Sequence, residues 1–150
     1  MDLKSTGSNP VFPNLYYYTY AYTINHLNLM TTKKQSKVKI LTNKKGLTLI
    51  RALHKIGCIS KFIIFKKHIR KSLRTYAYIS SPFYKNTPFF KSVRVISTPS
   101  KHHQISLKGL KLLANSLNAS IMLLSTSHGI VTHREALKLS IGGQILCMVH

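Results

Sequence analysis

Twenty-three lysines and arginines stand against two acidic residues in a chain of 150, a formal net charge of +21. Two carboxylates cannot pair so many cations, so the free protein carries strong self-repulsion and needs a polyanionic partner to relieve it. The fold must be made from short apolar segments whose other faces and connecting loops carry the charge. With 44% hydrophobic residues in 17.0 kDa, that material suits one compact domain or two small subdomains sharing a core.

The candidate polyanions are nucleic acid, an anionic membrane surface and acidic protein. The longest apolar runs, "FIIF" at 62–65 and "IMLL" at 121–124, are far shorter than the roughly 20 residues of a membrane-spanning helix, so no span is expected. Nor do the basic residues gather on one face of a long amphipathic helix, which leaves nucleic acid as the expected partner. Cys58 and Cys147 lie in apolar segments, where a free thiol acts as a small hydrophobe, and no disulfide is expected. His102 and His103 lack further ligands at metal-binding spacing. No metal, cofactor or small-molecule substrate is expected. Abundant Lys, Ile, Asn, Tyr and Ser, with no Trp, match the products of AT-biased organelle genomes.

Residues 1–22 combine Gly, Pro and Asn with a tyrosine cluster and read as an extension outside the core. That segment has no Arg, unlike a mitochondrial transit peptide. Ile24, Leu27 and Met30 predict a short helix over 23–30, followed by a basic loop and a strand at 38–41. A second helix places Leu47, Ile50, Leu53 and Ile56 on one face, with Arg51 and Lys55 opposite and Gly57 as a left-handed stop. Two strands joined by a basic turn, "KKHIRK" at 66–71, come next. "SPFYKNTP" at 81–88 breaks regular structure and marks the boundary between subdomains at 23–85 and 86–150. Beyond it the pattern predicts a strand at 89–98, a loop, a helix capped by Ser106, a buried strand at 119–126, a short helix at 132–140 and a strand at 144–149. The fold class is therefore α+β. An N-terminal helix-strand-helix-strand-strand unit precedes a C-terminal, mainly antiparallel β unit with short helices.

One of the two carboxylates, Glu135, falls in "THRE", where Thr132 and Glu135 have the spacing of a capping box. A carboxylate there also meets the positive end of the helix dipole. Its only possible acidic partner is Asp2, so a paired-carboxylate catalytic site is not expected. Just upstream, "STSHG" (Ser125, Thr126, Ser127, His128, Gly129) presents small donors and acceptors close to the backbone, suited to sugar edges, phosphates and unstacked bases. Gly142, Gly143 and Gln144, in "SIGGQ", permit a second close backbone approach.

The stretch "LLSTSHGIVTHREALKLSIGGQILCMVH", 123–150, resembles the C-terminal signature of the universal small-subunit ribosomal protein family eight. "SVRVISTPS" at 92–100 and "KVKILTNKKGLTLIRALHKIGCI" at 37–59 are similar to further segments of that family. The resemblance implies a two-subdomain α+β protein without enzymatic activity that binds the central domain of small-subunit rRNA beside neighbouring small-subunit ribosomal proteins. It places Ser125, Thr126, Ser127 and Gly129 at the main rRNA contact and Gly142 and Gly143 in a neighbouring loop. His128 stands where Lys is usual, Gln144 where Glu, His133 where Asp and Met148 where Tyr. Asn28 and Leu29 replace an Arg-Asn pair, so no RNA contact is carried to the first helix.

The expected mechanism is a scaffold. Exposed cations, Lys44, Lys45 and Arg51 among them, neutralise phosphates and supply affinity, while the "STSHG" segment supplies register. Two rivals share the composition: a general basic nucleic-acid binder without ribosomal specificity, and an RNA-processing enzyme using His102, His103, Lys101 and His128. The departures from the bacterial pattern point to the mitochondrion rather than a plastid or the bacterial cytoplasm.

Overall fold

The computed structural model describes residues 19–69, 72–85, 87–98, 100–117 and 119–150. The first unit runs α1 (Thr19–Thr32), β1 (Lys37–Thr42), α2 (Lys44–Lys55), β2 (Lys61–Ile69) and β3 (Ser72–Ser80). A two-residue ribbon, β4 (Phe83–Tyr84) with β5 (Thr87–Pro88), connects it to the second. That unit comprises β6 (Val93–Val95), β7 (Gln104–Ile105), α3 (Leu107–Ser116), β8 (Ile121–Thr126), β9 (Gly129–Thr132), α4 (His133–Lys138) and β10 (Gly143–Val149). The chain is α+β, with an antiparallel β1-β3-β2 sheet in the first unit and a five-stranded antiparallel sheet, β6-β10-β8-β9 with β7 also on β10, in the second.

The two units share one core. Ile24, Leu27 and Met30 of α1, Leu49, Ile50 and Leu53 of α2, and Ile40, Ala77 and Ile79 of the first sheet pack with Leu123, Leu146, Cys147 and Val149 of the second. A second cluster, with Leu110, Met122, Leu124 and Ala136 at its centre, fills the far side of the five-stranded sheet beneath α3 and α4. That sheet is thus apolar on both faces, and Met122, Leu123 and Leu124 are all fully buried in succession. On β10 a register shift between Ile145 and Cys147 lets Leu146 and Cys147 both enter the shared core. Burial pushes the Cys147 and Cys58 thiols each up to about 12; at Cys147 the neighbouring Cys58 adds to the effect. Both are free thiols.

The structure differs from the sequence expectations in several places. Residues 1–18 lie outside the described residues, but Thr19–Tyr22 belong to α1 and not to the extension, because Tyr20 and Tyr22 pack against the shared core. The buried face of α2 is Gly46, Leu49, Ile50 and Leu53, while Leu47 and Ile56 are only partly buried, so the apolar stripe runs through Leu49. Lys66 and Lys67 are paired strand residues opposite Thr75 and Arg74 rather than part of a turn; Arg70 and Lys71 lie outside the described residues. The strand expected at 89–98 shrinks to Val93–Val95, because the Lys91 and Ser92 N–H groups donate to the His150 carbonyl and Phe90 turns into the core. Asn28 clasps the Val93 backbone from α1, its side-chain N–H donating to the carbonyl at 2.8 Å and its oxygen accepting from the N–H at 2.9 Å. No helix among the described residues is long and apolar enough to cross a membrane.

Candidate nucleic-acid interface

"STSHG" is a β-hairpin tip. Ser125 pairs with Ile130 and Thr126 with Gly129, so the first two residues belong to β8 and Gly129 already begins β9. That strand was absent from the expected elements. Ser127 and His128 form the exposed turn, and neither has positive φ. Gly129 takes the left-handed conformation, φ +96, and closes the turn; no heavy atom beyond its chain neighbours lies within 4 Å of where a Cβ would stand, so backbone geometry alone calls for glycine there. The Thr126 hydroxyl organises the tip, donating to the Gly129 carbonyl at 3.0 Å and accepting from the His128 N–H at 3.2 Å. Ser127 Oγ lies 3.2 Å from His128 Nδ1.

Gly142 and Gly143 do permit a close approach, and the backbone they approach is the chain's own. A Cβ on Gly143 would stand 2.5 Å from the Ser125 carbonyl oxygen, and one on Gly142 would stand 2.5 Å from that of Ile105. These contacts draw the start of β10 against the end of β8 and against the turn before α3. The result is an open pocket of about 770 Å³ lined by Ser125, Thr126, Ser127, Gly142, Gly143 and Gln144, together with Gln104, Ile105 and Ser106. Among the described residues no charged side chain lines it. Its wall offers hydroxyls, amides and backbone groups, the inventory that reads shape and hydroxyl positions rather than net charge.

The last three lining residues were missed as site residues. Ser106 was read only as a cap, which it is, its hydroxyl accepting from the Gly109 N–H at 3.3 Å. Gln104 and Ile105 form the two-residue strand β7 opposite Gln144 and Gly143, too short to leave a periodic signal. His102 also reaches this margin, its Nδ1 2.7 Å from Gln144 Nε2. Lys44, Lys45 and Arg51 are exposed on α2 and none of them lines the pocket. The two lysines occupy the first helical turn, behind the Asn43 cap, where the macrodipole disfavours cations and welcomes an anion.

Behind the hairpin, Thr132 and Glu135 form the capping box of α4. The Thr132 hydroxyl accepts from the Glu135 N–H at 3.2 Å, and the Glu135 carboxylate accepts from the Thr132 N–H at 3.0 Å. The same carboxylate pairs with Lys55 at the end of α2, a contact 80 residues away in sequence. Lys55 and the cap bonds together hold the Glu135 carboxyl below its usual range. His133 is buried, and its Nδ1 accepts from the Met122 N–H at 3.1 Å; burial, then Arg134, lowers its pKa and favours the neutral ring.

The architecture defines a strongly basic α+β protein whose two sheets share a core and whose hairpin and glycine-rich strand start build an uncharged polar pocket. The chain belongs to the family described as Ribosomal protein S8, whose model matches residues 21–150. It is 30% identical over 112 residues to the small ribosomal subunit protein uS8 of Orientia tsutsugamushi strain Boryong, covering 75% of this chain and 81% of that protein. It is similar to uS8m of Acanthamoeba castellanii, 29% over 115 residues, covering 76% and 84%. With uS8 of Dictyoglomus turgidum it shares 28% over 117 residues, covering 78% and 85%.

Proposed function

We propose that this chain is a structural constituent of the small ribosomal subunit that binds the central domain of small-subunit rRNA through its 86–150 subdomain, supporting assembly and translation without catalysis of its own. The observation that carries the reading is the uncharged pocket joining Ser125–Ser127 to Gly142–Gln144 on a chain of net charge +21. Lys44, Lys45 and Arg51 supply phosphate contacts and hence affinity. The pocket, the Gly129 turn and the His128 ring supply register on one irregular rRNA feature. Neighbouring small-subunit proteins complete its surroundings. The mitochondrial relative and the organelle-like composition support a mitochondrial ribosome.

The test is competition between a central-domain fragment of the chain's own small-subunit rRNA and an unrelated structured RNA of equal length, at about 150 mM salt, where nonspecific phosphate contacts weaken. The expected result is strong preference for the cognate fragment, lost when Ser125 and Ser127 are both changed to alanine, with the RNA recovered intact. Equal binding to both RNAs makes the chain a general basic binder. Cleavage abolished by His102→Ala or His128→Ala makes it a nuclease.

A further inference from the structure

The solvent face of the β1-β3-β2 sheet plays no part in the site above, yet it carries a stacked aromatic cluster. Phe65 on β2 lies between two tyrosines of β3, its ring centroid 5.5 Å from that of Tyr76 at an interplanar angle of 15° and 4.9 Å from that of Tyr78 at 21°. The Lys39 ammonium on β1 sits 4.5 Å from the Tyr76 centroid and 5.2 Å from that of Phe65. Tyr78 is 47% exposed, and Ile63, opposite it in the register, is 68% exposed, so one end of the stack is open to solvent. Strand alternation aims Lys37, Lys61, Lys67 and Arg74 to this same side, around the rings. None of the three strands carries an acidic residue to neutralise them.

We propose that this face is a second RNA-binding surface, on which unpaired nucleotides stack upon the Tyr76–Phe65–Tyr78 cluster while Lys39 and the surrounding cations meet their phosphates. The proposal rests on the reading that the chain works on RNA but uses a surface separate from the hairpin pocket. The charge selects the occupant. A ring of cations with no carboxylate fits a polyanion, and the open aromatic end fits a polyanion with planar apolar units. Single-stranded RNA has both, whereas a duplex keeps its base faces stacked inside the helix.

The test uses the full chain, an end-labelled single-stranded oligoadenylate of about eight nucleotides, a length within the span of such surfaces, and an RNA duplex with the same number of phosphates. Tyr76→Thr with Tyr78→Thr removes the two tyrosine rings, leaving Phe65 without its stacking partners, and keeps residues that favour strands. Tyr76→Phe with Tyr78→Phe keeps the rings. The single strand is expected to bind more tightly than the duplex, the threonine pair to weaken it by about tenfold or more, and the phenylalanine pair to leave it within about twofold, as ring stacking requires. Ser125→Ala with Ser127→Ala is expected to leave oligoadenylate binding unchanged while losing preference for the rRNA fragment, which separates failure of this surface from failure of the pocket. Equal binding of duplex and single strand overturns the proposal, as does a threonine pair with undiminished binding or a phenylalanine pair that weakens binding as much as the threonine pair. Cross-linking of Tyr78 to a protein neighbour rather than to RNA in the assembled subunit would give the face to a protein.

Discussion

The two larger sheets of this molecule solve the same problem of excess charge in opposite ways. The five-stranded sheet is apolar on both faces, packed on the shared core on one side and under α3 and α4 on the other. Its faces are closed to a partner, and the pocket at its strand ends is built from small side chains and backbone held by the glycine contacts. The three-stranded sheet is covered on one side only, and its open side displays rings and cations. Burial thus sets what each sheet exposes, and with it the division proposed above: shape and register for the first, charge and stacking for the second.

Replacing Leu123, fully buried at the centre of the shared core, should hurt most. Leu123→Ala is expected to cost about 2–5 kcal/mol in denaturant unfolding, the usual range for a cavity of this size. A single cooperative transition should persist, since both units contribute to that core; two separated transitions would break the comparison by making the sheets independent. Gly143→Ala should follow at about 1–3 kcal/mol, because its new methyl meets the Ser125 carbonyl. Gly129→Ala should cost about 1–2 kcal/mol, from the left-handed backbone alone. Gly143→Ala should be the more damaging to rRNA binding, since its methyl meets the Ser125 carbonyl in the proposed site, and gel-shift titration of both variants ranks them.

Glu135→Gln should destabilise by about 0.3–1 kcal/mol at neutral pH, as expected for an exposed ion pair at a helix start. Because the folded protein holds this carboxyl below its usual range, its contribution is full above about pH 4.3 and is lost as pH falls through the lower, folded-state value. Wild type and variant should therefore converge in acid, which thermal melts across pH will show. The smallest effect belongs to the open sheet: Ile63→Thr, at a position 68% exposed, should change stability by less than about 0.5 kcal/mol. A cost comparable to that of Leu123→Ala would mean that this face is covered in the free protein.

Local signals were the legible ones. The Thr132–Glu135 capping box, the Ser106 cap and the Gly57 stop each depend on residues within a few positions, and each is in place. The α+β class and the order of the first unit followed from apolar periodicity. The hairpin strand β9 did not, because four residues between a turn and a cap carry no period. Lys66 and Lys67 looked like a turn because an outward-facing strand at a sheet edge tolerates lysine. The pocket was legible in part: Ser125–Ser127 and Gly142–Gln144 could be named from residue type, but His128 and Gly129, named with them, do not line it, and Gln104–Ser106 reach it only through the β7–β10 pairing. The links that tie the units together, Asn28 to Val93 and Lys55 to Glu135, span 65 and 80 residues and leave no trace in any window.

The central claim is a division of labour between charge and pocket, and the salt dependence of rRNA-fragment binding tests it most directly. Ser125→Ala with Ser127→Ala should lower affinity while leaving the slope of log K against log salt unchanged. Lys44→Gln with Lys45→Gln should reduce that slope by roughly 2, about 1 per phosphate contact. A serine pair that flattens the slope, or a lysine pair that leaves it untouched while abolishing preference for the cognate fragment, would contradict the account.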